Sequence, residues 1–147
     1  MTTYIKPTAT GATYEGEYKD CTVRALANAG NIPYLEAHSI MKSHGRLNRH
    51  GAYPNQYTPA YLENGFELVG ICGTTHHAKY SKNTMNSLGV KVNALPGIGL
   101  KKFLEKYDDG SYIVIVSGHA VAIIDGETVD KGYLPEGKRV TTIFKKV

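Results

Sequence analysis

The stretch Ser117-Gly-His-Ala-Val-Ala-Ile-Ile-Asp-Gly-Glu-Thr-Val-Asp130 constrains the fold more tightly than any other part of the chain. Asp125-Gly126 lies between two apolar runs. Asp-Gly suits a two-residue hairpin turn, whose central residues both need a positive φ. The stretch therefore predicts two antiparallel strands, His119–Ile124 and Glu127–Lys131. A two-residue turn also sets the register, with residue 124 opposite 127 and 121 opposite 130. Side chains alternate along a strand, so His119, Val121 and Ile123 share a face, and Asp130 joins it as the diagonal neighbour of His119. Asp125 belongs to the turn. Polar groups beside such apolar strands need a partner or a chemical task.

The rest of the chain reads as helices followed by strands. Asp20 is an N-cap residue type, and the Ala-rich run Cys21–Ala29 ends at Gly30, which predicts a helix with glycine just past its end. A second helix is expected over Pro33–His44, with Tyr34, Ala37 and Met41 on one face and Gly45 ending it. Residues 45–58 read as a long loop, and Thr58-Pro59 as the cap of a short helix ending near Asn64-Gly65. Phe66–Cys72 alternates as a strand, whereas 73–98 has no clear period. A helix over Gly99–Tyr107 and strands at Tyr112–Val116 and Arg139–Val147 complete the reading. This order predicts an α+β fold in a single domain, residues 1–147.

Composition narrows the function classes. With 147 residues, 41% hydrophobic and 20% charged, the chain has the balance of a folded globular domain. A net charge of +4, spread along the chain, lacks the dense basic stripe of a dedicated nucleic-acid protein. The N-terminus lacks the apolar core of a signal peptide, and no apolar run reaches the length of a membrane span. Two cysteines, Cys21 and Cys72, do not make a disulfide framework. These features predict a cytoplasmic protein with free thiols and no membrane association.

Cys21 is the candidate nucleophile. A helix N-terminus favours a thiolate, and so does a neighbouring imidazolium. Of the six histidines only His119 opens a strongly apolar strand between small neighbours, Gly118 and Ala120. Asp130 then orients its ring, as the third member of a triad does. Arg24, one helical turn after Cys21, is expected to pair with an acidic group beneath the site. Arg46 and Arg49, in a loop rich in Gly and His, are candidates for binding an acidic or phosphorylated substrate. Cys72, His76 and His77 supply three zinc-ligand types without a fourth, so neither metal nor other cofactor is expected. A rival reading takes Leu95-Pro-Gly97-Ile-Gly99-Leu-Lys-Lys-Phe-Leu, which resembles the Gly-x-Gly hairpin of helix-hairpin-helix DNA-binding motifs. The bland alternative is a loop opening an amphipathic helix.

Asp20-Cys21-Thr-Val-Arg24-Ala-Leu-Ala, Gly118-His119-Ala-Val-Ala-Ile-Ile-Asp-Gly126 and Asp130 together resemble the papain-like cysteine peptidase superfamily. The likeness is to its short bacteriophage and bacterial members, and it covers residues 20–45 and 110–131. The resemblance implies a papain-like fold, with N-terminal helices packed on a C-terminal antiparallel sheet. It also implies a thiolate at Cys21, a general base and acid at His119 and an orienting Asp130. The expected activity is hydrolysis of a peptide or isopeptide bond in a protein or peptide substrate, in the host cytoplasm if the chain is phage-encoded. The family commonly places a Gln several residues before the Cys, to complete the oxyanion hole. Here Glu15, Gly16, Glu17 and Tyr18 occupy that stretch, leaving Tyr18 as the side-chain donor beside the Cys21 backbone N–H. Deamidation or transamidation would use the same site. An inactive papain-like binding protein and a DNA-binding module are the readings from other classes.

Overall fold

In a computed structural model, residues 4–5, 19–116, 118–130 and 137–147 are described. Among these residues are five helices, α1 (Cys21–Gly30), α2 (Tyr34–Ser43), α3 (Pro54–Leu62), α4 (His76–Ser87) and α5 (Leu100–Lys106). The strands are β1 (Tyr4–Ile5), β2 (Phe66–Cys72), β3 (Ala94–Leu95), β4 (Ile98–Gly99), β5 (Ser111–Val116), β6 (His119–Ile124), β7 (Glu127–Val129) and β8 (Arg139–Lys146). They form one sheet in the order β1-β7-β6-β5-β8-β2-β3, with β4 also paired to β8.

The fold is α+β, as the element order implies, but the sheet is mixed rather than antiparallel. Its body, β7-β6-β5-β8-β2, is antiparallel, while β1 joins β7 and β3 joins β2 in parallel. Nor is the sheet purely C-terminal, because β2 from the middle of the chain pairs with the last strand. Helices cover both faces. Residues of α1, α2, α3 and α4 pack with Ile113, Ile115, Ala120, Ala122 and Phe144 on one side. Leu100 and Phe103 of α5 pack with Tyr112, Val114, Val116, Val121 and Ile123 on the other. Burial on both sides accounts for the unbroken apolar run in β5, where a half-exposed strand would alternate.

The predicted hairpin forms in the predicted register. Ile124 faces Glu127, Ile123 faces Thr128 and Ala122 faces Val129. Asp125 and Gly126 take φ of 49° and 79°, the left-handed pair that this turn requires.

Helix α1 sits in the interior, with Val23, Ala25, Leu26, Ala27 and Ala29 all buried. Its Ala-rich surface lets it lie close against β6 while α2 packs on it from outside. Two local expectations need correcting. Asp20 holds the N-cap position without capping, because its carboxylate is already engaged by Arg24 and by the Tyr34 hydroxyl. Gly30 is the last helical residue, and Asn31 takes the left-handed position instead, at φ 54°. Asn is the residue after Gly that best tolerates this conformation.

Helix α3 begins at Pro54, well before the expected cap at Thr58, because Pro54 provides a favourable first-turn residue and Gln56 accepts the Tyr53 backbone N–H. Helix α4 replaces the region without period. Thr75 caps it, its hydroxyl accepting from the Ala78 N–H at 3.2 Å, and only Ala78, Ser81 and Met85 are buried. Such a narrow stripe on a polar helix produces little periodic signal. No described helix is long and apolar enough to cross a membrane.

Candidate active site

Cys21 is the first residue of α1 and is partly exposed. The first turn is pinned from below, where the Tyr61 hydroxyl donates to the Thr22 carbonyl at 2.9 Å. Burial by itself pushes the Cys21 thiol pKa up. Hydrogen bonds to the His119 ring and the Ala120 backbone, with the charges of His119 and Arg24, outweigh burial and bring it below the usual thiol value.

His119 opens β6, next to Gly118 at φ 83°, a left-handed turn position that costs glycine little. Its Nε2 lies 2.8 Å from Asp130 Oδ2, which leaves Nδ1 as the nitrogen for the thiol. The bond to Asp130 does most to raise the His119 pKa, and the bond to Cys21 adds to it. Partial burial opposes both, and the pKa settles at about 9. A thiol pulled down beside an imidazole pulled up favours proton transfer toward a thiolate–imidazolium pair.

Asp130 is buried and is held in turn. Its Oδ1 accepts from Arg24 Nε at 3.4 Å and from Nη2 at 3.2 Å. Arg24 Nη1 also pairs with Asp20 Oδ1, and the Tyr34 hydroxyl donates to Asp20 Oδ2 at 2.6 Å. A chain of charge-assisted contacts thus runs from the imidazole through Asp130, Arg24 and Asp20 to Tyr34, crossing from the hairpin into α1 and α2. Arg24 stands where the sequence reading expects it, beneath the site and against an acid.

A pocket of about 150 Å³ opens beside Cys21. Thr22, Pro54, Tyr57, His77, Tyr80, Ser81, Ala120 and Thr141 are among its walls. His77, Tyr80 and Ser81 come from α4, a helix that the sequence does not announce. The signal available was Thr75 as a cap followed by Ala78, Ser81 and Met85 at helical spacing. Thr22 is 3% exposed, and its hydroxyl has no hydrogen-bond partner among the described residues. Tyr57 remains a neutral phenol, its pKa raised first of all by burial, while it shares a hydrogen bond with Ser81.

Other sequence candidates fall elsewhere. Arg46 is buried at 1% exposure and reaches the Lys19 carbonyl at 3.2 Å. It holds the approach to α1 and does not line the Cys21 pocket. Arg49 is exposed, at a positive φ of 64°, and does not line the Cys21 pocket. Tyr18, the suggested oxyanion donor, lies outside the described residues, as do Glu15, Gly16 and Glu17. Cys72 is buried in the α5 cluster, and burial raises its pKa. His77 faces the Cys21 pocket instead, which separates two of the three residues considered for zinc. The Leu95–Leu104 segment supplies β3, β4 and α5 rather than a hairpin between two helices.

No family model, curated protein or solved structure matches the chain.

Proposed function

We propose that the chain is a papain-like cysteine hydrolase that cleaves a peptide or isopeptide bond, with Cys21, His119 and Asp130 as its catalytic triad. One observation carries this reading. Cys21 at a helix start lies beside His119, which lowers the thiol pKa, and His119 Nε2 is held 2.8 Å from a buried carboxylate. The order of a cysteine on a helix, then a histidine and an acid on antiparallel strands, also matches the resemblance noted in the sequence.

In the proposed reaction the Cys21 thiolate attacks the carbonyl carbon, and the carbonyl oxygen becomes an oxyanion. The backbone N–H of Cys21 is available to donate to it. As the intermediate collapses, the C–N bond breaks and the protonated His119 gives its Nδ1 proton to the leaving amine. A thioester on Cys21 remains. Neutral His119 then takes a proton from water while the water oxygen attacks the thioester. The C–S bond breaks, and the thiolate–imidazolium pair is restored. Asp130 keeps the ring oriented and stabilises its cation throughout, without accepting the proton. The first half-reaction is shared with deamidation and transamidation, which differ in the bond opened or in the acceptor.

Alkylation with iodoacetamide at pH 6 tests the site directly. Cys21 is expected to react well before Cys72, and a His119→Ala variant to lose that preference. Equal, slow labelling of both cysteines would rule out an activated thiol.

A further inference from the structure

A cavity of about 430 Å³ lies away from Cys21, between the end of β2, the turn that joins β3 to β4 and the start of β8. It shares no wall with the Cys21 pocket. Gly73, Thr74 and Thr75 line it from one loop and Gly97 from another, while Lys82 and Arg139 bring two cations to it. No aspartate or glutamate is among its described walls. Its size falls within the range of small-molecule sites, about 300–1,000 Å³.

The two cations are held differently. Lys82 Nζ donates to the Gly73 carbonyl at 3.1 Å, which fixes the ammonium against the loop and leaves it further protons to donate. Arg139 is exposed, and its guanidinium has no hydrogen-bond or ion-pair partner among the described residues. It lies over Gly97, where a Cβ would stand 2.9 Å from Nη2. Gly97 does not take a positive φ, so the close approach of the guanidinium, not the backbone, is what a side chain there would disturb. Lys106 lines a neighbouring cavity that shares Cys72, Pro96 and Gly97 with this one. Burial pushes the Cys72 thiol pKa up, and the charges of Lys106 and Lys82 pull against it. Positive charge thus converges on this part of the fold from α4, α5 and β8.

An anion is the fitting occupant, and charge decides which kind. A carboxylate brings one charge and two acceptor oxygens. A phosphate monoester brings about −1.5 to −2 at neutral pH and three acceptor oxygens, enough for both cations and a threonine hydroxyl. Leu95 and Pro96 add apolar wall, which suits an organic group more than bare phosphate.

We infer that this cavity is a second site, for a small organic phosphate, with Arg139 and Lys82 holding the phosphate group and Leu95 and Pro96 against the organic part. The site stands independently of the cysteine hydrolase reading. It places recognition of a phosphorylated group far along the chain from Arg46 and Arg49, where the sequence suggested it.

The experiment is calorimetric titration of the full chain, at constant ionic strength, with phenyl phosphate, benzoate and inorganic phosphate. Phenyl phosphate is expected to bind more tightly than either of the others and to raise the thermal midpoint. Arg139→Ala, at an exposed position, should leave the midpoint without ligand unchanged and weaken phenyl phosphate about ten- to hundredfold, the size expected for hydrogen bonds to a charged group. Lys82→Met, which keeps Arg139, should show a loss in the same range. Cys21→Ser should bind as wild type does. Absence of binding, equal affinity in wild type and both cleft variants, or benzoate binding as tightly as phenyl phosphate would overturn the site. Inorganic phosphate binding more tightly than phenyl phosphate would overturn the organic ligand. A short DNA duplex that binds more tightly still, through Arg139, would overturn the small molecule in favour of a nucleic-acid backbone.

Discussion

His119 Nε2 and Asp130 Oδ2 meet at 2.8 Å across the open end of a hairpin whose two-residue turn sets their register. The second oxygen of the same carboxylate is taken by Arg24. Asp130 thus joins the strand that carries His119 to the helix that carries Cys21.

A thiolate–imidazolium pair should produce a bell-shaped pH dependence of Cys21 alkylation by iodoacetate, an anion that the imidazolium attracts. The thiol pKa is lowered, so the acid limb lies below the usual thiol range. His119 is raised to about 9, so reactivity typical of the ion pair should fade as pH passes that value. The stability linkage has a definite sign. A histidine raised from 6.5 to about 9 in the folded state contributes stability that is full below pH 6.5 and lost as pH rises through 9. Denaturant unfolding between pH 6 and pH 10 reads that loss, and a His119→Gln variant should lack it.

Asp130→Asn should keep the fold and impair the chemistry. The bond to Asp130 is the largest influence raising the His119 pKa, so the alkaline limb of the alkylation profile should move to lower pH. An amide also permits the wrong imidazole tautomer, a defect that costs about 10⁴-fold in a serine-protease triad. Turnover of a peptide substrate should therefore drop by several orders of magnitude while the circular dichroism spectrum stays native. An unchanged alkaline limb would show that Asp130 does not govern the imidazole.

Arg24→Ala should destabilise the protein strongly. The guanidinium is 12% exposed and serves two carboxylates whose side chains are 7% and 6% exposed. Removing one partner of a buried ionic group typically costs about 3–5 kcal/mol. Arg24→Lys should recover part of this but not all, because an ammonium lacks the planar fork that reaches Asp20 and Asp130 together. Urea midpoints of the two variants give the comparison, with wild type most stable and alanine least.

Thr22→Val should stabilise the free protein. The hydroxyl is buried and has no partner among the described residues, and an unmade hydrogen bond of this kind costs about 1–3 kcal/mol. Valine has nearly the same shape and removes that cost. A rise in the thermal midpoint is the expected result. A fall would mean that the hydroxyl makes a stabilising contact in solution.

Local rules account for what was legible. The Asp125-Gly126 turn, the strand register and the shared side of His119 and Asp130 depend on φ preferences and on alternation over a dozen residues. The faces of α2 and α5 follow in the same way, with Tyr34, Ala37 and Met41 buried in one and Leu100 and Phe103 in the other. Helix α4 was not legible, since three small or flexible buried positions on a polar helix leave little pattern. Arg46 misled because an arginine in a glycine-rich loop reads as solvated, whereas the fold buries its long side chain against the chain entering α1.

By itself, then, the sequence determined the hairpin and the pairing of His119 with Asp130, since both depend on neighbours close along the chain. Only the tertiary structure decided that this pair meets Cys21. Alternation along β6 assigns His119 to the side of Val121 and Ile123, in the α5 cluster, whereas α1 packs with Ala120 and Ala122 on the other side. The site forms because His119 is the first residue of its strand and Asp130 lies one residue beyond Val129, the last in its strand. At strand ends side chains are no longer confined to one face by the ladder. Burial of an Ala-rich helix against small strand residues brings the first turn of α1 to that end, and no local pattern encodes a contact between residues so far apart in the chain.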